Sequence, residues 1–383
     1  MKIGILTLSS SDNCGSLLQT YALQKVLELR GHNVEIINFK TVKSHKMYRT
    51  IHFSYIKKPQ MFIGQFLRCN SLIHQRKAYQ TFRNSYLNMT PMEYHSNKEL
   101  SLLDGKYDVV LCGSDQVWNV YMHDFDKSFL LSWCNKSMRV AYAASLGDQK
   151  NGKIADLVAK GLDIEAFKVV SVRERSSQKK FLNETNLKVD LTIDPTLLLK
   201  KDEWMKLINK SVLPQEKYIF YYSYNYGNEK KNMMVRNIAK KLGLTVYVIN
   251  ASKWVDGRNR EYGFKLFKEA GPIAFLSLMS ACEYSLVESF HGCIFAYIFY
   301  TKFFFLAVEN LLDDRIEDLL YTLNLKQRVL RYGHKITKEQ LQEEYEHNSV
   351  TLDNLLEHSN NYLDNITSIT KDNNNGLNQN ETR

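Results

Sequence analysis

Residues 1–39 read MKIGILTLSSSDNCGSLLQTYALQKVLELRGHNVEIINF, and this stretch decides the fold. Lys2 to Leu8 is a short run rich in Ile and Leu, the composition of a buried strand. A polar turn, SSSDNCGS, follows it. Leu18, Ala22, Val26 and Leu29 then recur at helical spacing, with Tyr21 beside them. Gly31 stops that helix as a left-handed cap would, and Val34 to Phe39 forms the next strand. Strand, helix and strand in this order make one βαβ unit, which implies a parallel sheet.

The same grammar repeats along the chain. Tyr107 to Cys112, Arg139 to Ser145, Lys168 to Val172 and Val189 to Ile193 are strand-like runs. They end at Gly113, Gly147, Arg173-Glu174-Arg175 and Asp194-Pro195 respectively. Pro214 interrupts the pattern between Leu213 and Lys217, and a second half restarts at Tyr218 to Tyr224. There a basic helix from Glu229 to Leu242 precedes the strand Thr245 to Ile249. Tyr284 to Val287 and Phe303 to Val308 are further strands, on either side of an apolar helix from Cys293 to Tyr300. The expectation is an α/β fold of two Rossmann-type parallel-sheet domains facing a cleft, over residues 1–213 and 214–335. A basic insertion over 40–92 belongs to the first domain. A helical segment over 336–370 packs back across both halves, and 371–383 (KDNNNGLNQNETR) has too little to bury for a fixed structure.

Bulk properties narrow the function classes. The chain has 383 residues with 44% hydrophobic and 24% charged, ordinary values for a globular protein of two domains. Its six cysteines form no CxxC pair and no zinc-spaced cluster with histidine, so no metal site is expected and a reducing, cytoplasmic compartment fits. MKIGILTL is too short for a signal peptide, and the apolar stretch from Cys293 to Val308 is too short to span a bilayer. The net charge of +10 is concentrated: no acidic residue lies between Glu35 and Glu93, while Lys40, Lys43, Lys46, Arg49, Lys57, Lys58, Arg68, Arg76, Lys77 and Arg83 do. Phe53, Tyr55, Met61, Phe62, Ile63, Phe66 and Leu67 are interleaved with them. The segment reads as a solvated helical face or as a flap that meets anionic headgroups or an anionic substrate, with peripheral contact at the inner face of a membrane. No recognised nucleic-acid-binding motif accompanies the charge, so nucleic acid is not expected as a partner.

In open parallel sheets, ligands sit beyond the carboxyl ends of the strands, and that rule selects the loops. Neither a G-x-G-x-x-G fingerprint nor a P-loop is present. Asp12-Asn13-Cys14-Gly15-Ser16 ends the first strand. Gly113-Ser114-Asp115-Gln116-Val117-Trp118-Asn119 would turn Asp115 toward the cleft with Trp118 near it, or Asp115 would cap an Asx-type turn. In Arg173-Glu174-Arg175, two guanidinium groups flank a carboxylate, which suits an anionic ligand or a structural ion pair. Ser289-Phe290-His291-Gly292 opens the buried helix, whose first amides are unpaired donors at the positive end of its dipole. Gly292 would let a ligand approach the backbone, Ser289 would cap the helix or bind an oxygen, and His291 could donate to a phosphate or pass it a proton.

Seven stretches together resemble the polysaccharide pyruvyl transferase family: DNCGSLLQTYALQ, VVLCGSDQVWN, VAYAASLG, VSVRE, IDPTLLL, ESFHGCIFAYIF and DDRIEDLLYTLNL. Cys14 stands where the family usually has an aromatic residue, Val287-Glu288 where it has Thr-Asp, and Phe303 where Pro is common. The resemblance implies a GT-B-like fold and a reaction that uses phosphoenolpyruvate as co-substrate, with no cofactor and no metal. Pyruvate would be placed as a ketal on two hydroxyls of a glycan or a lipid-linked oligosaccharide. It implies that Ser289, Phe290, His291, Gly292, Arg173 and Arg315 hold the donor. Asn13, Gly15, Ser16 and Trp118 would lie on the acceptor side, with Asp115 and Glu174 as candidate bases. Two rival readings remain at this point: a glycosyltransferase of the same architecture with Glu309 on a ribose, and a non-catalytic glycan-binding protein.

Overall fold

The computed structural model describes residues 1–41, 43, 59–148, 152–224, 226–249, 259–308, 312–334 and 336–378; over 59–69, 259–260 and 367–378 only the backbone is described. Lys46, Arg49, Lys57, Lys58 and Glu309 therefore lie outside the described residues.

Among the described residues, twelve strands form two six-stranded parallel sheets. The first contains β1 (Lys2–Leu6), β2 (Asn33–Ile36), β3 (Val109–Cys112), β4 (Met138–Ala144), β5 (Phe167–Val172) and β6 (Asp190–Leu191), in the order β2-β1-β3-β4-β5-β6. Parallel bridges Ile36 to Met89 and Phe39 to Tyr94 add a rudimentary strand outside β2. The second contains β7 (Tyr218–Tyr222), β8 (Thr245–Val248), β9 (Lys265–Leu266), β10 (Tyr284–Val287), β11 (Lys302–Ala307) and β12 (Val329–Arg331), ordered β12-β11-β10-β7-β8-β9. Read from its other edge, the second sheet has the 3-2-1-4-5-6 order of a dinucleotide-binding fold. The arrangement is two-lobed and GT-B-like, with the first sheet in lobe one and the second in lobe two.

Each sheet is apolar on both faces, as a covered parallel sheet must be. Ile3, Ile5, Val109 and Leu111 face one core, while their neighbours Leu6, Val110 and Cys112 face another. In the second sheet, Phe220, Phe303 and Phe305 face the core that Ile3 and Ile5 share, and Ile219, Phe304 and Leu306 face outward to a third. One continuous core thus joins the lobes. Helix α1 (Cys14–Leu29) lies in it and is buried on nearly every side from Cys14 to Leu27. Leu29, expected on its apolar stripe, is exposed, because the stripe runs out at the helix end. Trp204 fills the seam, 4.8 Å edge-on to Phe295 and 5.7 Å from Tyr21.

Two helices tie the lobes further. Helix α2 (Pro59–Tyr86) buries Tyr79 and Phe82 on lobe one and packs against the start of the helix Gly271–Ala281 in lobe two. Gly271 is there at φ +80°, and a side chain on it would press to 3.0 Å from Ala78. Helix α3 (Val350–Asn378) is anchored to lobe two by Ser349, whose hydroxyl donates to Thr322 O at 2.5 Å. It returns to lobe one through Tyr362, which donates to Ala141 O at 2.8 Å, and through Arg30, 2.8 Å from Asp364. The helical reading of Thr337 to Ile366 is therefore broken between Gln342 and Val350, and residues 371–378 of the expected tail continue α3.

Candidate active site

The carboxyl ends of the strands meet across the seam around a cavity of about 390 Å³. Lobe one contributes the loops after β1 and β3 and the residue after β5; lobe two contributes the loops after β7 and β10 and the start of a helix, Asp314–Thr322.

On lobe two, Ser289 is extended and caps helix α4 (Phe290–Ile298) by accepting from the Gly292 amide at 3.0 Å. The amides of Phe290 and His291, in the first turn, have no acceptor within the helix. Gly292 lies close against the cap of its own helix. The space a side chain would need is occupied by Ser289 Oγ at 2.7 Å and Val287 Cβ at 3.0 Å, so glycine serves the close cap. His291 is 5% exposed and faces lobe one. Its Nε2 lies 3.3 Å from Asp194 Oδ2, within Coulombic reach but outside hydrogen-bond alignment. Its Nδ1 sits against Gly15, in the first turn of α1, where a Cβ would fall 2.2 Å away. The first turns of α1 and α4 therefore touch across the seam only because position 15 has no side chain.

Arg173 follows β5 and is buried. Nε donates to Glu174 at 3.0 Å and NH1 to Asp194 at 2.7 Å, while the guanidinium lies 4.0 Å from the Phe290 ring. Among the described residues, this leaves NH2 as the donor available to a ligand. Burial opposes the charge on Arg173, but Glu174, Asp194 and Asp115 outweigh it and raise the pKa. Burial also pushes the Asp194 carboxyl upward, yet His291, Arg173 and Thr196 together hold it well below the usual carboxylate range. For Glu174 burial wins over Arg173 and Ser145, and the pKa rises.

Glu174 is 1% exposed and stands behind Arg173, outside the cavity. Its position is that of a holder of the guanidinium, not of a group facing an acceptor. The expected pair of arginines is also divided: Arg175 leaves the cleft to bind Asp318 twice at 2.6 Å, from its amide and from NH1, clasping the two lobes. Trp118, expected on the acceptor side, is a core residue. It packs 6.0 Å from Phe167 and donates to Phe129 O.

Asp115 does line the cavity. It sits at φ +78°, a conformation aspartate tolerates better than most residues. Ser16 Oγ donates to its Oδ2 at 2.5 Å and the Gln116 amide to its Oδ1 at 2.9 Å. Asp124 is a second buried carboxylate on this side, its pKa raised by burial and then by Asp115. Asn13 caps α1, accepting from Gly15 and Ser16 amides at 2.8 and 3.3 Å. Arg315, on the lobe-two side, is gripped by Asp313 through Nε at 2.9 Å and NH2 at 2.5 Å, which among the described residues leaves NH1 for a ligand.

The cavity thus brings together Asn13, Ser16, Asp115, Arg173, Ser289, Phe290, His291 and Arg315, with Gly15 and Gly292 shaping its walls. Sequence reasoning missed Asp194, Asp124, Asp313, Tyr224 and Glu288. Asp194 ends a strand-like run on the ligand side, so the rule that selected the other loops applied to it as well. Glu288 accepts from the Tyr224 amide at 2.8 Å and pairs with Lys231 and Ser223. Among the described residues, no group of three or more His, Cys, Asp or Glu is arranged to hold a metal ion, and no helix is long and apolar enough to cross a membrane.

A model of the family described as polysaccharide pyruvyl transferase matches residues 13–310. No curated protein matches the chain. Among solved structures it is similar to UDP-GlcNAc 2-epimerase from Methanocaldococcus jannaschii, with 11% identity, 92% of this chain and 95% of that one covered, and a TM-score of 0.56. It is similar also to UDP-GlcNAc 2-epimerase from Neisseria meningitidis, with 10% identity, 84% and 86% covered, and a TM-score of 0.51. At such identities the likeness is one of fold.

Proposed function

Because the chain belongs to the polysaccharide pyruvyl transferase family, and so is a transferase, we propose that it moves pyruvate from phosphoenolpyruvate to a sugar. The acceptor is a surface polysaccharide or its lipid-linked precursor, and the reaction runs in the cytoplasm, where the donor is made. The observation that carries this reading is the division of the cavity's chemistry. Arg173 NH2, Arg315 NH1, His291 and the first amides of α4 offer donors to an anion. Asp115 and Asp124 offer carboxylates to a hydroxyl.

The donor carries phosphate and carboxylate close together, so its site needs several cations or helix-end amides. Proton transfer to the methylene carbon, C3, makes C2 electrophilic. One acceptor hydroxyl adds to C2 as its proton passes to a base, for which Asp115, with Asp124 beside it, is the candidate. The C2–O bond to phosphate then breaks, the second hydroxyl adds to C2 with loss of its proton, and the ketal closes. Two hydroxyl protons are given up; one has entered the new methyl group and the other leaves with phosphate. His291 is the candidate to protonate C3 or the departing phosphate, held by Asp194 on one side and Gly15 on the other. Arg173, fixed by Glu174 and Asp194, presents one donor edge without having to be ordered on binding.

The test is phosphate release from phosphoenolpyruvate with a panel of free and lipid-linked oligosaccharides, run beside nucleotide sugars. Phosphate that appears only with a diol-bearing acceptor, with a ketal in the product, supports the reading. Transfer from a nucleotide sugar with no phosphate from phosphoenolpyruvate removes it.

A further inference from the structure

A second cavity, of about 440 Å³, lies on lobe one beside the first. The two share a wall. Ser11 and Asn13 line the catalytic cavity and Ser10 and Asp12 the second, so the turn after β1 has one cavity on each side of it. The far wall is the helix α2, which presents Arg76, Gln80, Arg83 and Asn84. These positions are spaced i, i+4, i+7 and i+8, one face of a helix. Asn38 and Lys40, beyond β2, close the rim.

The charges in this cavity do not balance. Arg83 is engaged on the shared wall, with NH2 3.0 Å from Asp12 Oδ1 and NH1 3.2 Å from Ser11 O. Glu93 lies 3.6 Å from His95. Among the described residues, neither Lys40 Nζ nor the Arg76 guanidinium makes an ion pair or a side-chain hydrogen bond. Arg76 is half-buried, and burial together with the like charge of Arg83 works against its ionised form while Asp12 favours it. Two cations on facing walls, one partly withdrawn from water and repelled by a neighbour, form a receptacle for an oxyanion with at least two acceptor oxygens.

We propose that this cavity is a second anion subsite, which receives a phosphate or diphosphate group carried by the acceptor while its sugar occupies the catalytic cavity next door. The identification of the acceptor rests on the pyruvyl-transfer reading; the anion site does not. Its place behind the Ser10–Asn13 wall puts the anion on the lobe-one side, away from the donors of α4 and Arg315. The charge it meets is also joined to the reaction site, because Arg83 holds Asp12 and Ser11 on the same segment that carries Asn13.

Titration calorimetry of the full-length protein with inorganic pyrophosphate tests the site without requiring turnover. With phosphoenolpyruvate at saturation, pyrophosphate is expected still to bind. The double variant Lys40→Gln, Arg76→Gln is expected to weaken that binding about tenfold or more, the scale of one charge-assisted hydrogen bond. His291→Ala should leave it unchanged. Absence of binding in the presence of phosphoenolpyruvate, or equal binding by the double variant, overturns the site. Steady-state kinetics separate the sources of the anion. The double variant should raise KM for a glycosyl diphosphate acceptor and leave KM for the same sugar without phosphate, and for phosphoenolpyruvate, unaltered. An unaltered KM for the diphosphate acceptor would refute the acceptor assignment. Pyrophosphate binding lost in the double variant, together with no phosphate release from phosphoenolpyruvate, would keep the subsite and refute the transfer reaction.

Discussion

Gly15→Ala is the substitution that isolates the contact between the two lobes at the site. Built on the present backbone, the new Cβ would lie 2.2 Å from His291 Nδ1, 2.6 Å from Cγ and 3.0 Å from Cβ, whereas ordinary contact begins at 3.4 Å. The difference, 3.4 − 2.2, is 1.2 Å, and the imidazole or the first turn of α1 must give by about that much. The ring has little room to retreat, since Asp194 Oδ2 is 3.3 Å from Nε2 and the Phe290 ring lies 5.3 Å away, centroid to centroid. A displacement of about 1 Å in a catalytic group costs on the order of 10²-fold in rate. Stability should change far less. Alanine favours a helix over glycine by up to about 1 kcal/mol, and overpacking a core costs about 1–3 kcal/mol, so the first offsets part of the second. The assay is phosphate release from phosphoenolpyruvate beside a thermal melt. Expected is a Tm within a few degrees of wild type and a kcat lower by about 10²-fold. Wild-type kcat in a folded Gly15→Ala protein would refute the argument that His291 must sit where it does.

Arg173→Lys keeps the charge but cannot reach Glu174 and Asp194 with separate donors or stack flat on Phe290, so kcat/KM should fall about tenfold or more; full activity would reduce Arg173 to a point charge. Asp194 is held below its usual range, so its stabilising contribution is present above the unfolded carboxylate pKa of about 4 and fades as pH falls below it. The Tm gap between wild type and Asp194→Asn should accordingly narrow below about pH 4, and a gap constant from pH 7 to pH 3 would contradict that. Glu174 has the opposite sign: its raised pKa means that stability falls as pH climbs from about 4 through its folded value, and Glu174→Gln should flatten that limb of the Tm profile. For the basic segment, co-sedimentation with anionic vesicles should be salt-sensitive, each cation being worth at most about 1 kcal/mol, and should weaken when Lys43, Lys46, Lys57 and Lys58 become Gln. Unchanged vesicle binding with a raised KM for phosphoenolpyruvate would place those lysines at the donor instead.

Much of the fold was legible because covered parallel strands are continuous apolar runs. YSLV and FFFLA can be little else, and Gly31 and Gly243 mark helix ends through positive φ. Strands β9 and β12 were not legible, since two or three residues show no period. In the site, the rule about strand ends found Asp115, Arg173 and His291 but could not say where each side chain turns. Trp118 lies three residues beyond Asp115, and a left-handed residue at 115 followed by a tight turn sends the indole into the core. The same limit split Arg173 from Arg175. Whether an arginine meets a ligand or an aspartate 143 residues away in sequence is a tertiary fact, settled here by Asp318. The contact of Gly15 with His291 spans both lobes and has no local signature at all.

The most direct measurement is simultaneous detection of phosphate and of the glycan product when the protein meets phosphoenolpyruvate and a diol-bearing oligosaccharide. Wild type should release one phosphate for each pyruvyl ketal formed, and His291→Ala, folded, should do so about 10²-fold more slowly. No ketal from any acceptor in the panel, or an unimpaired His291→Ala protein, would contradict the assignment of this cleft as a pyruvyl transfer site.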